Sequence, residues 1–137
     1  MTLVVDASVA LKWVLQEEGT ERARALLAEE ALAAPELLWI ECANVLWVKA
    51  RRGHLEAVDA RAALEAIEAT PIRALPSAPI TAAALEIALD LDHAAYDCLY
   101  LAAALEQNAA LVTADQAFAF KAASRARYAS KVRYLLG

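Results

Sequence analysis

Residues 2–9 read Thr-Leu-Val-Val-Asp-Ala-Ser-Val. The apolar run Leu3–Val5 is too short for a helix and too continuous for a strand with one wet face, so it reads as a strand buried on both sides. Asp6 closes that strand, and Ala7-Ser8-Val9 opens a helix to about Leu15, with Ser8 as its N-cap. The same order of events returns near the other end of the chain. Ala110–Thr113 is a second short apolar strand, followed by Asp115 and a short helix to about Ser124.

Between these two units the elements alternate. Thr20 caps a helix to about Glu30, and Pro35 starts a helix from Glu36 to about Arg52 that stops at Gly53. Leu55–Ala69 is a further helix, and Pro71–Leu75 a short strand. Ile80–Asp90 is helical, a loop runs through His93–Tyr96, and a helix spans Asp97–Asn108. Lys131–Leu135 reads as a last strand. Short apolar strands separated by helices predict an α/β fold, a three-layer α/β/α sandwich around a short, mainly parallel sheet. At 137 residues with no linker or composition break, the chain is expected to form one domain over residues 1–137.

Composition narrows the function. The chain is 61% hydrophobic with 3 Gly and 4 Pro, which excludes disorder and low-complexity scaffolds. Charges interrupt every apolar run well short of the roughly 18–20 residues that span a bilayer. The N-terminal residues do not read as a signal peptide, and a cytoplasmic protein is expected. Cys42 and Cys98 lack metal-type spacing and read as reduced core thiols. The net charge is −5, but residues 1–115 carry eight bases against all eighteen acids, while residues 116–137 carry five bases and no acid. Lys49, Arg51 and Arg52 form a second basic cluster. Either cluster suits phosphate, or is simply a solvated helix end.

Four acids stand where solvent would not put them. Asp6 sits at the C-terminal end of a strand, the edge where open α/β sheets bind ligands. Glu41 lies on the apolar stripe of its helix, with Leu37, Leu38, Val45 and Val48 around it and Asn44 one turn on. A lone buried carboxylate is costly unless it is paired or binds a metal, so the alternatives are a salt bridge to an arginine or a cation site. Asp97 and Asp115 each have an ordinary role as helix caps. Together the four imply more, because parallel strands bring Asp6 and Asp115 to one edge of the sheet. Carboxylates packed that closely demand a cation. All-oxygen ligands point to a hard ion, Mg²⁺ or Mn²⁺, and to phosphate chemistry. His54 and His93 are the only histidines, and neither suggests an acid–base pair; His54 reads as a helix-end residue. Phosphate loops and serine nucleophile elbows are missing. Trp13, Trp39 and Trp47 read as core or interface anchors, the latter two forming a seam on one helix.

Four segments carry a resemblance that spans residues 2 to about 120: VVDASVALKW (4–13), WIECANVLW (39–47), AAYDCLYLAAALE (94–106) and LVTADQAF (111–118). The chain resembles PIN-domain proteins, specifically VapC-type toxin ribonucleases. That resemblance implies a metal-dependent endoribonuclease, with Asp6, Glu41, Asp97 and Asp115 as the acidic quartet and Asp6 and Asp97 as the acids most directly associated with Mg²⁺. It also implies Ser8 and Thr113 as polar supports, a small co-encoded antitoxin as partner, and a homodimer with RNA running across both sites. Relatives often carry a base after the last aspartate; here Gln116 follows, and Lys121 and Arg125 would substitute. RNA contacts are expected from Lys49, Arg51, Arg52, Lys121 and Arg125, and Asn44 is expected to support the site. The alternative is a PIN fold used as a binding or scaffold module with weak or no catalysis, against which the presence of all four acids speaks.

Overall fold

The computed structural model describes residues 1–137. Five parallel strands, β1 (Thr2–Val5), β2 (Ala31–Pro35), β3 (Ile72–Leu75), β4 (Ala110–Thr113) and β5 (Val132–Tyr134), form one sheet in the order β3-β2-β1-β4-β5. β1 is central, with Leu3 opposite Leu32 on one side and opposite Ala110 on the other. Leu3, Val4 and Val5 are all fully buried, which requires a covering layer on each face of the sheet. The expected three-layer sandwich is present, and its sheet is parallel throughout.

Eight helices supply the layers: α1 (Ala7–Val14), α2 (Thr20–Glu29), α3 (Leu37–Arg51), α4 (Ala57–Glu68), α5 (Thr81–Leu91), α6 (Ala95–Glu106), α7 (Gln116–Ala123) and α8 (Ala126–Ala129). α1 packs on α2, α3 and α4, while α6 lies across β1, β2 and β4 with α5 against it. Cys98 through Ala104 are buried in unbroken succession, so the middle of α6 is enclosed on all sides. Its four alanines let neighbouring backbones approach closely. No helix is long and apolar enough to cross a membrane.

Several elements depart from expectation. β2 is not predicted by its sequence, because Ala-Leu-Ala-Ala-Pro has the composition of a helix and its strand conformation is imposed by pairing with β1 and β3. Pro35, expected to open α3, ends β2 opposite Leu75. Asp6, not Ser8, caps α1: its backbone is extended and its carboxylate accepts from the Val9 N–H. Gly19, in a left-handed conformation, occupies the N-cap of α2, and Thr20 is the first helical residue. α6 begins at Ala95, which moves Tyr96 from a loop into the helix and puts Asp97 in its first turn. Trp13 is core, but Trp47 is 55% exposed and stacks under the Arg51 guanidinium, so the α3 pair makes no buried seam.

Candidate active site

Strand β1 turns directly into α1 at Asp6, and β4 turns into α7 at Asp115, so neighbouring parallel strands deliver both residues to one edge of the sheet. α3 presents Glu41 and α6 presents Asp97 to the same place. All four line a cleft of about 240 Å³, together with Ala7, Ser8, Leu11, Val45 and Tyr100.

Asp6 is only 7% exposed yet fully engaged. Its Oδ1 accepts from Ser8 Oγ at 2.5 Å and from the Val9 N–H at 3.2 Å, and its Oδ2 accepts from Thr113 Oγ1 at 2.5 Å. Ser8 Oγ in turn accepts from the Ala114 N–H at 2.9 Å, and Thr113 Oγ1 from the Asp115 N–H at 3.1 Å. This small knot ties the end of β1 to the end of β4. Burial pushes the Asp6 carboxyl up to about 6, outweighing the three hydrogen bonds that favour the anion, and the negative charge of Asp97 adds to the rise.

Glu41 is half-buried, and its Oε1 accepts from the phenol of Tyr100 at 2.6 Å. The partner of this buried acid is therefore a neutral donor from α6, and no salt bridge to an arginine forms. Burial raises its pKa, the Tyr100 bond opposes that rise, and the Asp97 charge adds to it. Tyr100 is itself held protonated by burial and by its acidic acceptor. Asp115 is exposed and caps α7 by accepting from the Phe118 N–H at 3.0 Å. Asp97 faces His93, whose Nε2 lies 2.6 Å from Asp97 Oδ2. Sequence reading gives His93 no role, although it stands four residues before Asp97; the loop expected between the two conceals their common orientation.

The donor set fits a hard divalent cation in kind: it is all oxygen, it converges on one cleft, and Asp97 repels both Asp6 and Glu41. The side chains stand open, however. No three of them form a closed ligand group; Glu41 is bonded to Tyr100 and Asp97 to His93.

The remaining expected residues lie around this centre. Asn44 is outside the carboxylate cleft, lining an adjoining groove of about 560 Å³ that shares Glu41 and Val45 with it. Lys121 donates to the Asp92 carbonyl at 2.9 Å and Arg125 to the Asp90 carbonyl at 3.0 Å, both at the C-terminal end of α5. Lys49 lies 4.0 Å from Glu17, and Arg51 and Arg52 are exposed at the end of α3. Both cysteines are buried, and burial pushes the Cys98 thiol up to about 11, in keeping with inert core thiols.

A PIN-domain family model matches residues 3–124. Ribonuclease VapC9 of Mycobacterium tuberculosis is 39% identical over 113 residues, which cover 82% of this chain and 85% of that protein. Among solved structures, PAE2754 from Pyrobaculum aerophilum superposes with a TM-score of 0.71 at 24% identity, over 88% of this chain and 79% of that one. A chain of a toxin-antitoxin complex from Klebsiella pneumoniae superposes with a TM-score of 0.59 at 16% identity, covering 82% and 86%. These two structures share the fold. The family model spans all four acidic segments and the VapC9 match covers most of the chain, so this chain belongs to the PIN-domain family and is of the VapC type.

Proposed function

We propose that the chain is a metal-dependent endoribonuclease, the toxin of a toxin–antitoxin pair, acting on RNA in the cytoplasm. The observation that carries this reading is the delivery of four carboxylates by four separate elements to one cleft, where burial first, and the Asp97 charge in addition, disfavour the ionised forms of Asp6 and Glu41. A stable fold has no use for that repulsion unless a cation relieves it. The ribonuclease name of VapC9 and the toxin-antitoxin complex among the structural neighbours support the same assignment.

Asp6 and Asp97 are the residues proposed to hold Mg²⁺, or Mn²⁺ in its place, with Glu41 and Asp115 completing the set. A bound divalent ion would supply an activated water and charge neutralisation at a phosphodiester. Ser8 and Thr113 fix the Asp6 carboxylate against rotation. Tyr100 fixes Glu41, which with Asp115 orients the attacking water. Lys49, Arg51, Arg52, Lys121 and Arg125 take the flanking phosphates. A homodimer would cover the exposed Ile40, Leu85 and Tyr96, which border an apolar groove of about 620 Å³ beside the site.

Cleavage mapping on total cellular RNA tests the proposal. Expression of the wild-type chain is expected to give discrete cuts, and Asp97→Asn none. With purified protein, chelation of divalent ions should stop cleavage and Mg²⁺ restore it. Equal cleavage by Asp97→Asn, or cleavage indifferent to chelator, counts against the assignment.

A further inference from the structure

Each acid in the cleft is held differently, and Asp97 is the one held by a side chain that nothing so far accounts for. His93 is fixed from several directions. Asp92 ends α5 in the left-handed region at φ 51°, which lets the His93 N–H close on the Ala88 carbonyl at 3.1 Å. Lys121 Nζ reaches over to the Asp92 carbonyl, and Cys98 Sγ lies 3.9 Å from the His93 carbonyl. The imidazole packs on Phe118, with ring centroids 4.8 Å apart. Phe118 is 1% exposed, and its N–H is the one that Asp115 caps. So the ring that bonds Asp97 also rests on the first turn of the helix that carries Asp115.

From this geometry we infer that His93 is a positioning residue: its Nε2 orients Asp97 for the cation, and its contact with Phe118 sets Asp97 relative to Asp115. The inference deepens the proposed function and rests on the four acids being a divalent-cation site. Its physical basis is that Asp97 stands in the first turn of α6 with its side chain 36% exposed, free to rotate without a partner. The His93 bond engages Oδ2 alone. Losing a group that orients a ligating carboxylate typically weakens metal binding or activity by about 10–100-fold.

Two substitutions separate positioning from packing. His93→Phe keeps a ring against Phe118 and removes the nitrogen; His93→Gln keeps an N–H donor and removes the ring. Each is titrated with MnCl₂ in the absence of RNA, following the thermal midpoint, and RNA cleavage is then measured against Mn²⁺ concentration. The expected result is that His93→Phe unfolds near the wild-type temperature without metal but needs about tenfold or more Mn²⁺ for half its thermal shift and half its activity. His93→Gln is expected to remain close to wild type in its Mn²⁺ requirement, whatever it loses in metal-free stability. A wild-type Mn²⁺ requirement in His93→Phe, or one in His93→Gln as weakened as in His93→Phe, overturns the role of His93. A wild-type chain that neither shifts with Mn²⁺ nor cleaves RNA overturns the cation site itself, and the inference with it. A wild type that responds, beside an Asp97→Asn variant that does not and His93 variants that match wild type, overturns the inference alone.

Discussion

β1 and β4, side by side at the centre of the sheet, lead out into Asp6 and Asp115, whereas β2 and β3, paired on one flank, end in Pro35 and Leu75. All four strands are short and parallel. What separates them is winding order. The chain steps outward from β1 to β2 to β3, then returns to lay β4 on the opposite side of β1, so the segments leaving β1 and β4 diverge and leave a crevice between them. At the flank, consecutive strands move the same way, and apolar residues such as Leu75 seal their ends. The four carboxylates collect where the winding reverses.

This contrast can be broken most forcefully at Asp6. Asp6→Asn is expected to lower RNA cleavage by about 100-fold or more while making the metal-free protein more stable at neutral pH. The sign follows from the raised carboxyl. The folded state holds the Asp6 proton up to about 6 against an ordinary 3.8, so it binds protons more tightly than the unfolded chain across that window. Stability from this group is therefore greatest below the window and falls as pH rises through it, by about 3 kcal/mol. Urea unfolding at a series of pH values should show that loss in the wild type and not in Asp6→Asn. An Asp6→Asn variant that is less stable than wild type at neutral pH would mean that burial is not the dominant influence on this acid.

Leu75→Ala examines the flank. Removing its buried side chain should cost about 2–4 kcal/mol in denaturant unfolding, with cleavage per folded molecule unchanged. Thr113→Val is a gentler change at the centre: it keeps the shape but strips Asp6 Oδ2 and the Asp115 N–H of their partner. The expected cost is about 1–3 kcal/mol, and here cleavage by the folded protein should fall as well. Should Leu75→Ala reduce the activity of folded molecules as much as Thr113→Val does, the separation of the sheet into a working centre and a supporting flank does not hold.

Legibility from sequence follows the same division. β1 and β4 are readable because Leu-Val-Val and Leu-Val-Thr are unmistakable as buried strands and end in groups with no apolar function. β2 is not, since alanine carries no strand preference of its own and only the neighbours on both sides make a strand of Ala31–Pro35. The acids are visible individually, but their partners are less so. Tyr100 meets Glu41 across 59 residues, and a phenol on an apolar helix face looks like core until the opposite helix is in place. His93 lies within reach of local reasoning, four residues from Asp97, and is hidden only because α6 starts earlier than its sequence suggests.

The knot that joins Asp6 to Thr113 spans 107 residues of chain. During synthesis, Asp6 has no hydroxyl from β4 to receive it until the chain has been extended by a further 107 residues. A product that ends between Asp97 and β4 contains Asp6, Glu41 and Asp97 but lacks the strand that braces the first of them. For the nuclease proposed above, a copy cut short before β4 is expected to fold without this brace and to lack cleavage.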